Sequence, residues 1–108
     1  GAFPMWLAPV QAVVLPVVSE VNDYALRVGE ALKAKGIRAE VDNRPERISY
    51  KIREAETQKV PYMAIVGKRE ASSRTVSVRK RGEGDIGAMG LEEFVGMISG
   101  EIQGEGHE

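Results

Sequence analysis

Arginine and lysine side chains are concentrated in the middle of this chain. Residues 44–81 contain 11 basic and 4 acidic residues and carry a net charge of +7, whereas the rest of the chain carries −8. Guanidinium groups donate in pairs to phosphates and to the edge of guanine. The pattern therefore predicts a domain that presents one face to phosphates. A chance distribution of solvated charges is the bland alternative.

The basic side chains fall on two predicted elements and on the loop that follows a buried strand. Because ligands of α/β sheets gather at the carboxyl ends of parallel strands, the loops at residues 42–47 and 67–70 are expected to meet there. Glu70 offers an acceptor for a base amino group, and an Arg79–Glu70 salt bridge is the structural alternative. The candidates are Arg47, Lys51, Glu54 and Gln58 in a helical stripe, Arg53 across the apolar face from them, Arg79 and Arg81 on one strand face, and Lys68, Arg69 and Glu70 in the loop.

Catalytic and metal chemistry find little support in the sequence. The absence of cysteine excludes disulfides and thiolate sites. His107 is the only histidine, and no base, nucleophile or metal site assembles around it. Gly82, Gly84 and Gly87 match G-x-G-x-x-G, but the strand before them is half polar and no strand is predicted after the helix that follows them. They predict a hairpin loop rather than a dinucleotide site.

Length and periodicity predict one α/β domain that positions these residues. At 108 residues, 43% apolar and 29% charged, the chain has the composition of a globular protein. The apolar run 8–18 is too short for a membrane span and reads as a core strand. Apolar periodicity predicts a mixed sheet of about five strands flanked by three helices. The strands are predicted at 11–17, 37–41, 62–66, 75–81 and 86–89, and the helices between an N-cap at Ser19 and a C-terminal stop at Gly36, at 46–59 and at about 91–102. Two βαβ crossovers predict that the first three strands are parallel, and the fourth strand, with no helix predicted before it, is expected to be antiparallel to the third.

Several short motifs, in order along the chain, resemble one known domain family. They are the run Trp6-Leu7-Ala8-Pro9-Val10-Gln11, then Gly36-Ile37-Arg38, Asp42 with Arg44, Lys51-Ile52-Arg53-Glu54-Ala55, Val60-Pro61-Tyr62-Met63, and Gly67, Glu70, Thr75 to Arg79 and Gly87 to Leu91. This series resembles the C-terminal anticodon-binding domain of threonyl-tRNA synthetases, a class II aminoacyl-tRNA synthetase family, over residues 3–102.

The resemblance implies recognition of the threonine anticodon, whose second and third bases are G and U. By matching positions it implies that Arg53, Glu70 and Arg79 contact bases, and that Arg44, Lys51 and Arg81 contact the RNA backbone. Arg47 joins the backbone group because of its place in the basic stripe. Two positions depart from the family pattern. Pro45 stands where an Asn that joins the anticodon contacts is usual, and Ser49 replaces a Gly in the helix.

The expected protein is thus a non-catalytic tRNA-binding module, residues 10–103, with a linker at 1–9 and a tail at 104–108. ATP and zinc are expected only in a separate aminoacylation domain, the whole parent as a homodimer, and its location as cytoplasmic with no membrane partner. Three alternatives remain. They are the anticodon-binding domain of a prolyl-, histidyl- or glycyl-tRNA synthetase, a free-standing paralogue that binds an acidic protein, and a small nucleotide-binding protein.

Overall fold

A five-stranded sheet in the order β2-β1-β3-β4-β5 forms the centre of the molecule. The computed structural model describes residues 4–106, with side chains to residue 104. Two short 3₁₀ turns, Met5–Leu7 and Ser19–Val21, precede β1 and α1. The strands are β1 (Ala12–Pro16), β2 (Ala39–Val41), β3 (Tyr62–Val66), β4 (Thr75–Lys80) and β5 (Gly84–Gly90), and the helices are α1 (Asn22–Ala34), α2 (Ile48–Thr57), α3 (Lys68–Ser73) and α4 (Leu91–Gly106).

The first half of the sheet is parallel, as the two predicted βαβ crossovers require. β1 pairs with β2 on one side and with β3 on the other, and Ala12 is level with both Ala39 and Tyr62. All five residues of β1 are buried, which explains why this strand is apolar without alternation. The carboxyl ends of β1, β2 and β3 consequently lie at one edge of the sheet.

The second half of the sheet is antiparallel and exposes its last strand. β4 pairs antiparallel with β3 and with β5. The predicted antiparallel pair of β3 and β4 is confirmed, although the sequence predicts no helix between them and the structure has the short helix α3 there. The β4–β5 turn contains Gly82 at φ 84° and starts β5 with Gly84 at φ 76°, conformations that favour glycine. The glycine motif is therefore a hairpin, as predicted, although β5 extends beyond the expected residues 86–89.

Two apolar layers cover the two faces of the sheet. Alternate residues of β1 divide between them, with Val14 in the larger layer and Val13 in the smaller. α1 and α4 supply the larger layer, which includes Leu32 and Phe94. α2 supplies the smaller one, in which Ala55 packs with Val13, Leu15, Val60 and Met63. One helix therefore covers this second face and leaves its β5 side exposed.

The predicted mixed sheet with three flanking helices is confirmed, and the expected loop after β3 proves to be a short fourth helix. Glu70 accepts a hydrogen bond from the backbone N–H of Gly67 at 2.7 Å and caps α3, which ends at Arg74 with φ 57°. Ser19 was expected to cap α1. It instead starts a 3₁₀ turn, and α1 begins at Asn22.

The last helix extends further than the sequence predicts. α4 runs to Gly106, into the segment predicted as a tail, and His107 lies outside the described residues. The bounds predicted for the domain, residues 10–103, stay a prediction. No helix within residues 4–106 combines the length and the apolar character that crossing a membrane requires.

Candidate nucleic-acid interface

Arg79 carries a buried guanidinium donor that no described residue accepts. It lies in β4, level with Met63 of β3 and Asp85 of β5, on the sheet face that α2 covers in part. Its Nε is buried and has no hydrogen-bond partner within the described residues. Its Nη2 lies 3.9 Å from Oε2 of Glu56, the longest reach of an ion pair. A buried donor without an acceptor costs free energy, so an acceptor supplied by a ligand would relieve that cost at Arg79.

A cleft of about 260 Å³ opens beside Arg79. Its volume is near the lower end of small-ligand pockets, which begin at roughly 300 Å³. The cleft has an apolar floor and a polar rim, the combination that suits a planar base with hydrogen-bonding edges. Its lining residues are Glu56, Val60, Met63, Arg79, Lys80, Arg81, Gly82 and Gly84.

Arg81 stabilises the turn between α2 and β3. Its Nη1 donates to the backbone oxygen of Lys59 at 3.0 Å, and its backbone N–H donates to the oxygen of Pro61 at 2.8 Å. Lys59 has a positive φ of 58°, an unusual conformation that this contact helps to hold. Arg81 thus has a structural part in the wall of the cleft, in addition to the RNA contact predicted for it.

Arg47 and Arg53 are exposed cations on α2. Arg47 precedes the first turn of α2, and Arg53 lies midway along the helix. Neither side chain makes a hydrogen bond or ion pair to any residue in the part of the chain that the structure describes. Arg53 projects away from the sheet, since Ala55 and Ile52 take the inward positions. Both guanidinium groups are therefore available to an external anion.

Arg44 is exposed, and two of its three guanidinium nitrogens already have carboxylate partners. Its Nε and Nη2 donate to the two carboxylate oxygens of Asp42, each at 2.8 Å, and Nη2 also pairs with Glu54. Its guanidinium lies over the ring of Tyr50, with Cζ 5.8 Å from the ring centroid. The hydrogen bonds from Arg44 lower the pKa of Asp42, and those to Asp42 and Glu54 raise the pKa of Arg44.

Pro45 shapes the loop that leads into α2. The backbone N–H of Glu46 donates to the oxygen of Arg44 at 2.8 Å, which closes a three-residue turn around Pro45. The fixed φ of proline suits the central position of such a turn. Pro45 is exposed and contributes no hydrogen-bonding side chain, so its effect at this position is on the path of the loop.

Lys51 lies inside the protein rather than on its surface. The residue is 3% exposed, and its Nζ donates to the backbone oxygen of Pro16 at 3.1 Å, which ties α2 to the end of β1. Burial lowers the pKa of its ammonium group. Helical spacing placed Lys51 in a stripe with Arg47, but spacing alone could not show that the Lys51 side chain is buried. The backbone contact predicted for Lys51 stays a prediction.

The structure distributes the predicted residues over two clefts separated by α2. Lys51 and Arg44 lie at a cleft of about 280 Å³ between α2 and β2. Arg79 and Arg81 lie at the cleft between α2 and the β4–β5 hairpin. Glu70 caps α3 at the carboxyl edge of the sheet and is half-buried. Arg53 lies on the outer surface of α2.

Two residues beside these clefts were not predicted from the sequence to belong to the site. Glu56 faces Arg79 across the second cleft, and Tyr50 lies next to Arg44 on α2. Tyr50 has a sequence signal, since it is three residues from both Arg47 and Arg53 and therefore shares their side of the helix. Glu56 has none, because its partner lies on a distant strand. Among the side chains that the structure describes, residues 4–104, no group of three or more His, Cys, Asp or Glu is placed to hold a metal ion.

Comparisons with known proteins match nearly the whole chain. The family described as "Anticodon binding domain" matches residues 11–101. A threonine–tRNA ligase of Acetivibrio thermocellus is 53% identical over 98 residues, 91% of this chain and 15% of that protein. One from Clostridium tetani is 56% identical over 102 residues, 94% of this chain and 16% of that protein. The chain therefore spans about a sixth of the length of these relatives.

A solved structure agrees with the sequence matches. The RNA binding domain of threonyl-tRNA synthetase from Cryptosporidium parvum superposes with a TM-score of 0.88 at 29% identity. The superposition covers 94% of this chain and 26% of that one.

Proposed function

Because the chain belongs to the anticodon-binding domain family, we propose that it binds the anticodon loop of a tRNA, and that this tRNA is of the threonine type. The threonine specificity is supported by the names of relatives that are more than half identical to this chain. The tRNA is held as an unpaired loop whose bases are splayed outward. Such loops are the usual target of sequence-specific RNA recognition.

The observation that carries this proposal is the state of Arg79. Its Nε is buried without a partner in the described structure, beside a cleft with an apolar floor. A guanidinium in this state gains more from a base edge than one that must first leave a salt bridge. Arginine donates in pairs to the acceptors of guanine, and guanine is the second base of the threonine anticodon. Arg79 is accordingly the first residue proposed to contact a base.

The other proposed contacts divide by availability. Arg53 and Arg47 have exposed, unpartnered guanidinium groups within residues 4–106, and we assign Arg53 to a base and Arg47 to a phosphate. Glu70 is proposed as a base acceptor, although its Oε1 already accepts from Gly67. The remaining backbone contacts, from Arg44, Lys51 and Arg81, require RNA to share or displace the protein partners of these groups.

The wider protein is part of the same proposal. Relatives about six times longer than this chain are named as threonine–tRNA ligases. We propose that the parent of this domain joins threonine to its tRNA, with ATP and zinc bound in its aminoacylation domain. We further propose that the parent is a cytoplasmic homodimer. In that arrangement the present domain selects the tRNA and takes no part in the chemistry.

Titration with RNA hairpins tests the proposal. The domain is titrated with a threonine anticodon stem-loop, and with a matched stem-loop in which the second and third anticodon bases are exchanged, at two salt concentrations. The expected result is tighter binding of the first hairpin at both concentrations. Phosphate contacts lose affinity in salt for both hairpins alike, so a preference that persists reports contacts to bases.

Two other results would contradict this proposal. Equal, strongly salt-dependent binding of both hairpins would leave only a basic surface. Failure to bind either hairpin, combined with binding to an acidic protein, would favour the interaction module. A prolyl anticodon stem-loop is included as a third RNA, because tighter binding of that hairpin would replace the threonine assignment by a prolyl one.

A further inference from the structure

Tyr50 is an exposed aromatic residue in a basic setting. It is 47% exposed and lies on α2 three residues from Arg47 and three from Arg53. Residues at this spacing are neighbours on a helix surface, so Tyr50 shares one side of α2 with two guanidinium groups that have no partner among the side chains described, residues 4–104. Leu26 on α1 is comparably exposed, at 45%, but α1 covers the other face of the sheet. Exposure alone does not distinguish the two residues; their surroundings do.

The ring of Tyr50 is held by contacts at two points. Its hydroxyl donates to Oε2 of Glu54 at 3.0 Å. The guanidinium of Arg44 lies over the ring at 5.8 Å from the centroid, and Asp42 and Glu54 hold that guanidinium in turn. The ring therefore has little conformational freedom to lose when a ligand stacks on it. A preorganised aromatic residue of this kind supplies contact area at a small entropic cost.

Packing does not explain why an aromatic residue stands here. Tyr50 belongs to neither of the two apolar layers, whereas Ile48, Ile52 and Ala55 supply the inward face of α2. Its contacts are with Glu54 and Arg44, both at the surface. The arrangement thus presents to the solvent a ring held in place and a guanidinium that lies over it.

We propose that Tyr50, supported by Arg44, is a stacking site for one unpaired base of the RNA loop. Every base has an aromatic face, and unpaired bases stack on tyrosine rings and on arginine guanidinium planes. Arg47 and Arg53 flank the ring and hold the adjacent phosphates or base edge. This inference rests on the proposed function and adds a contact that is tolerant of base identity. It also gives the Arg44 network a role, since that network orients the ring.

The test uses a stem-loop that carries the fluorescent adenine analogue 2-aminopurine at each loop position in turn. Stacking on an aromatic ring quenches this fluorophore. We expect one loop position to be quenched on binding to the unmodified domain, and the quenching to disappear in Tyr50→Leu. Tyr50→Leu should bind the unlabelled threonine stem-loop roughly 5- to 150-fold more weakly, the range typical of one stacked base. Tyr50→Phe should retain most of the affinity and the quenching.

Leu26→Ala is the matched control, because it also truncates an exposed apolar side chain on a helix. It should leave binding and quenching unchanged, and the thermal midpoint of every variant should stay close to that of the unmodified domain. If the unmodified domain prefers the threonine hairpin but Tyr50→Leu binds it equally well, the stacking site is wrong and the proposed function stands. If the unmodified domain shows no preference between the hairpins, the proposed function fails, and the stacking site fails with it only if no loop position is quenched or the quenching persists in Tyr50→Leu.

Discussion

The surroundings of Arg44 and of Arg79 show that exposure and availability are different properties of a cation. The Arg44 side chain is 48% exposed, yet two carboxylates and an aromatic ring engage its guanidinium. The Arg79 side chain is 31% exposed, yet its Nε has no partner in the described structure and its one carboxylate lies 3.9 Å away. Because the more exposed arginine is the more satisfied one, accessible area misjudges which of them a ligand would engage.

The difference matters because of how each group would gain from RNA. An exposed ion pair contributes little net stability because water screens it, and RNA that displaces it must replace those hydrogen bonds before it gains anything. A buried donor without an acceptor carries a penalty of about 1–3 kcal/mol, which a ligand acceptor relieves. The contacts of Arg44 therefore fix its own position and that of the Tyr50 ring, and Arg79 is the better suited of the two arginines to donate hydrogen bonds to a ligand.

Lys51→Ala should show the largest effect, and it should appear in stability. The substitution removes a buried stem and the hydrogen bond from Nζ to the Pro16 oxygen. We expect the free energy of unfolding to fall by about 2–4 kcal/mol, measured by urea denaturation. Lys51→Met keeps most of the stem and should lose about half as much, and Lys33→Ala, at an exposed position of α1, should lose almost nothing. An unchanged urea midpoint for Lys51→Ala would show that the buried Lys51 side chain does not stabilise the fold.

The same lysine also has a signature in pH. Burial lowers its pKa in the folded protein below the ordinary 10.5, so the unfolded chain binds more protons between those two values. The free energy of unfolding contributed by this group should therefore rise as the pH rises across that range. Tyrosines with raised pKa values act in the opposite direction, Tyr62 at about 12 among them. The pH-dependent difference between the unmodified domain and Lys51→Met isolates the lysine.

Arg79→Ala should show the next largest effect, and it should appear in binding. We expect affinity for the threonine stem-loop to fall by about 1–3 kcal/mol and the preference over the exchanged hairpin to shrink. Stability should change little, because the side chain removed carries an unsatisfied donor. Arg27→Ala is the control, since it removes the same charge from an exposed position on α1. Equal losses for both hairpins would mean that Arg79 contacts phosphate and reads no base.

Sequence periodicity predicted the elements that local chemistry determines. The apolar run 62–66 became β3 at the predicted bounds, and the 75–81 alternation placed Val76 and Val78 in the core with Arg79 opposite. Both outcomes follow from the residue types along each strand, apolar on both faces in β3 and on one face in β4, and they do not depend on distant contacts. Another local rule, that glycine is favoured directly after a helix, predicted that Gly36 would follow α1 with a positive φ, here 77°.

Contacts between distant segments explain what the sequence could not supply. Lys51 looked like a surface cation because its acceptor, the Pro16 oxygen, lies 35 residues away on β1. The sequence suggested Glu70 as a possible salt-bridge partner of Arg79. In the structure Glu70 caps α3, and the carboxylate near Arg79 is that of Glu56 on α2. The sequence shows which residues are cationic and how they are spaced. The packing of α2 against the sheet decides which of them remain unsatisfied.

Glu56→Gln should have the smallest effect on affinity, and its result decides whether Arg79 binds the base alone or together with Glu56. If Glu56 is only a loose neighbour of Arg79, removing its charge relieves repulsion of phosphates, and affinity for both hairpins should rise by about 0.2–1 kcal/mol at low salt and less at high salt. Glu93→Gln, the same change on α4, should have no effect. If the substitution instead weakens only the threonine hairpin, Glu56 accepts a hydrogen bond from the base. The pair would then bind the base from both sides, one residue as donor and the other as acceptor. Arg79 would count as half of a two-residue site rather than as an isolated donor.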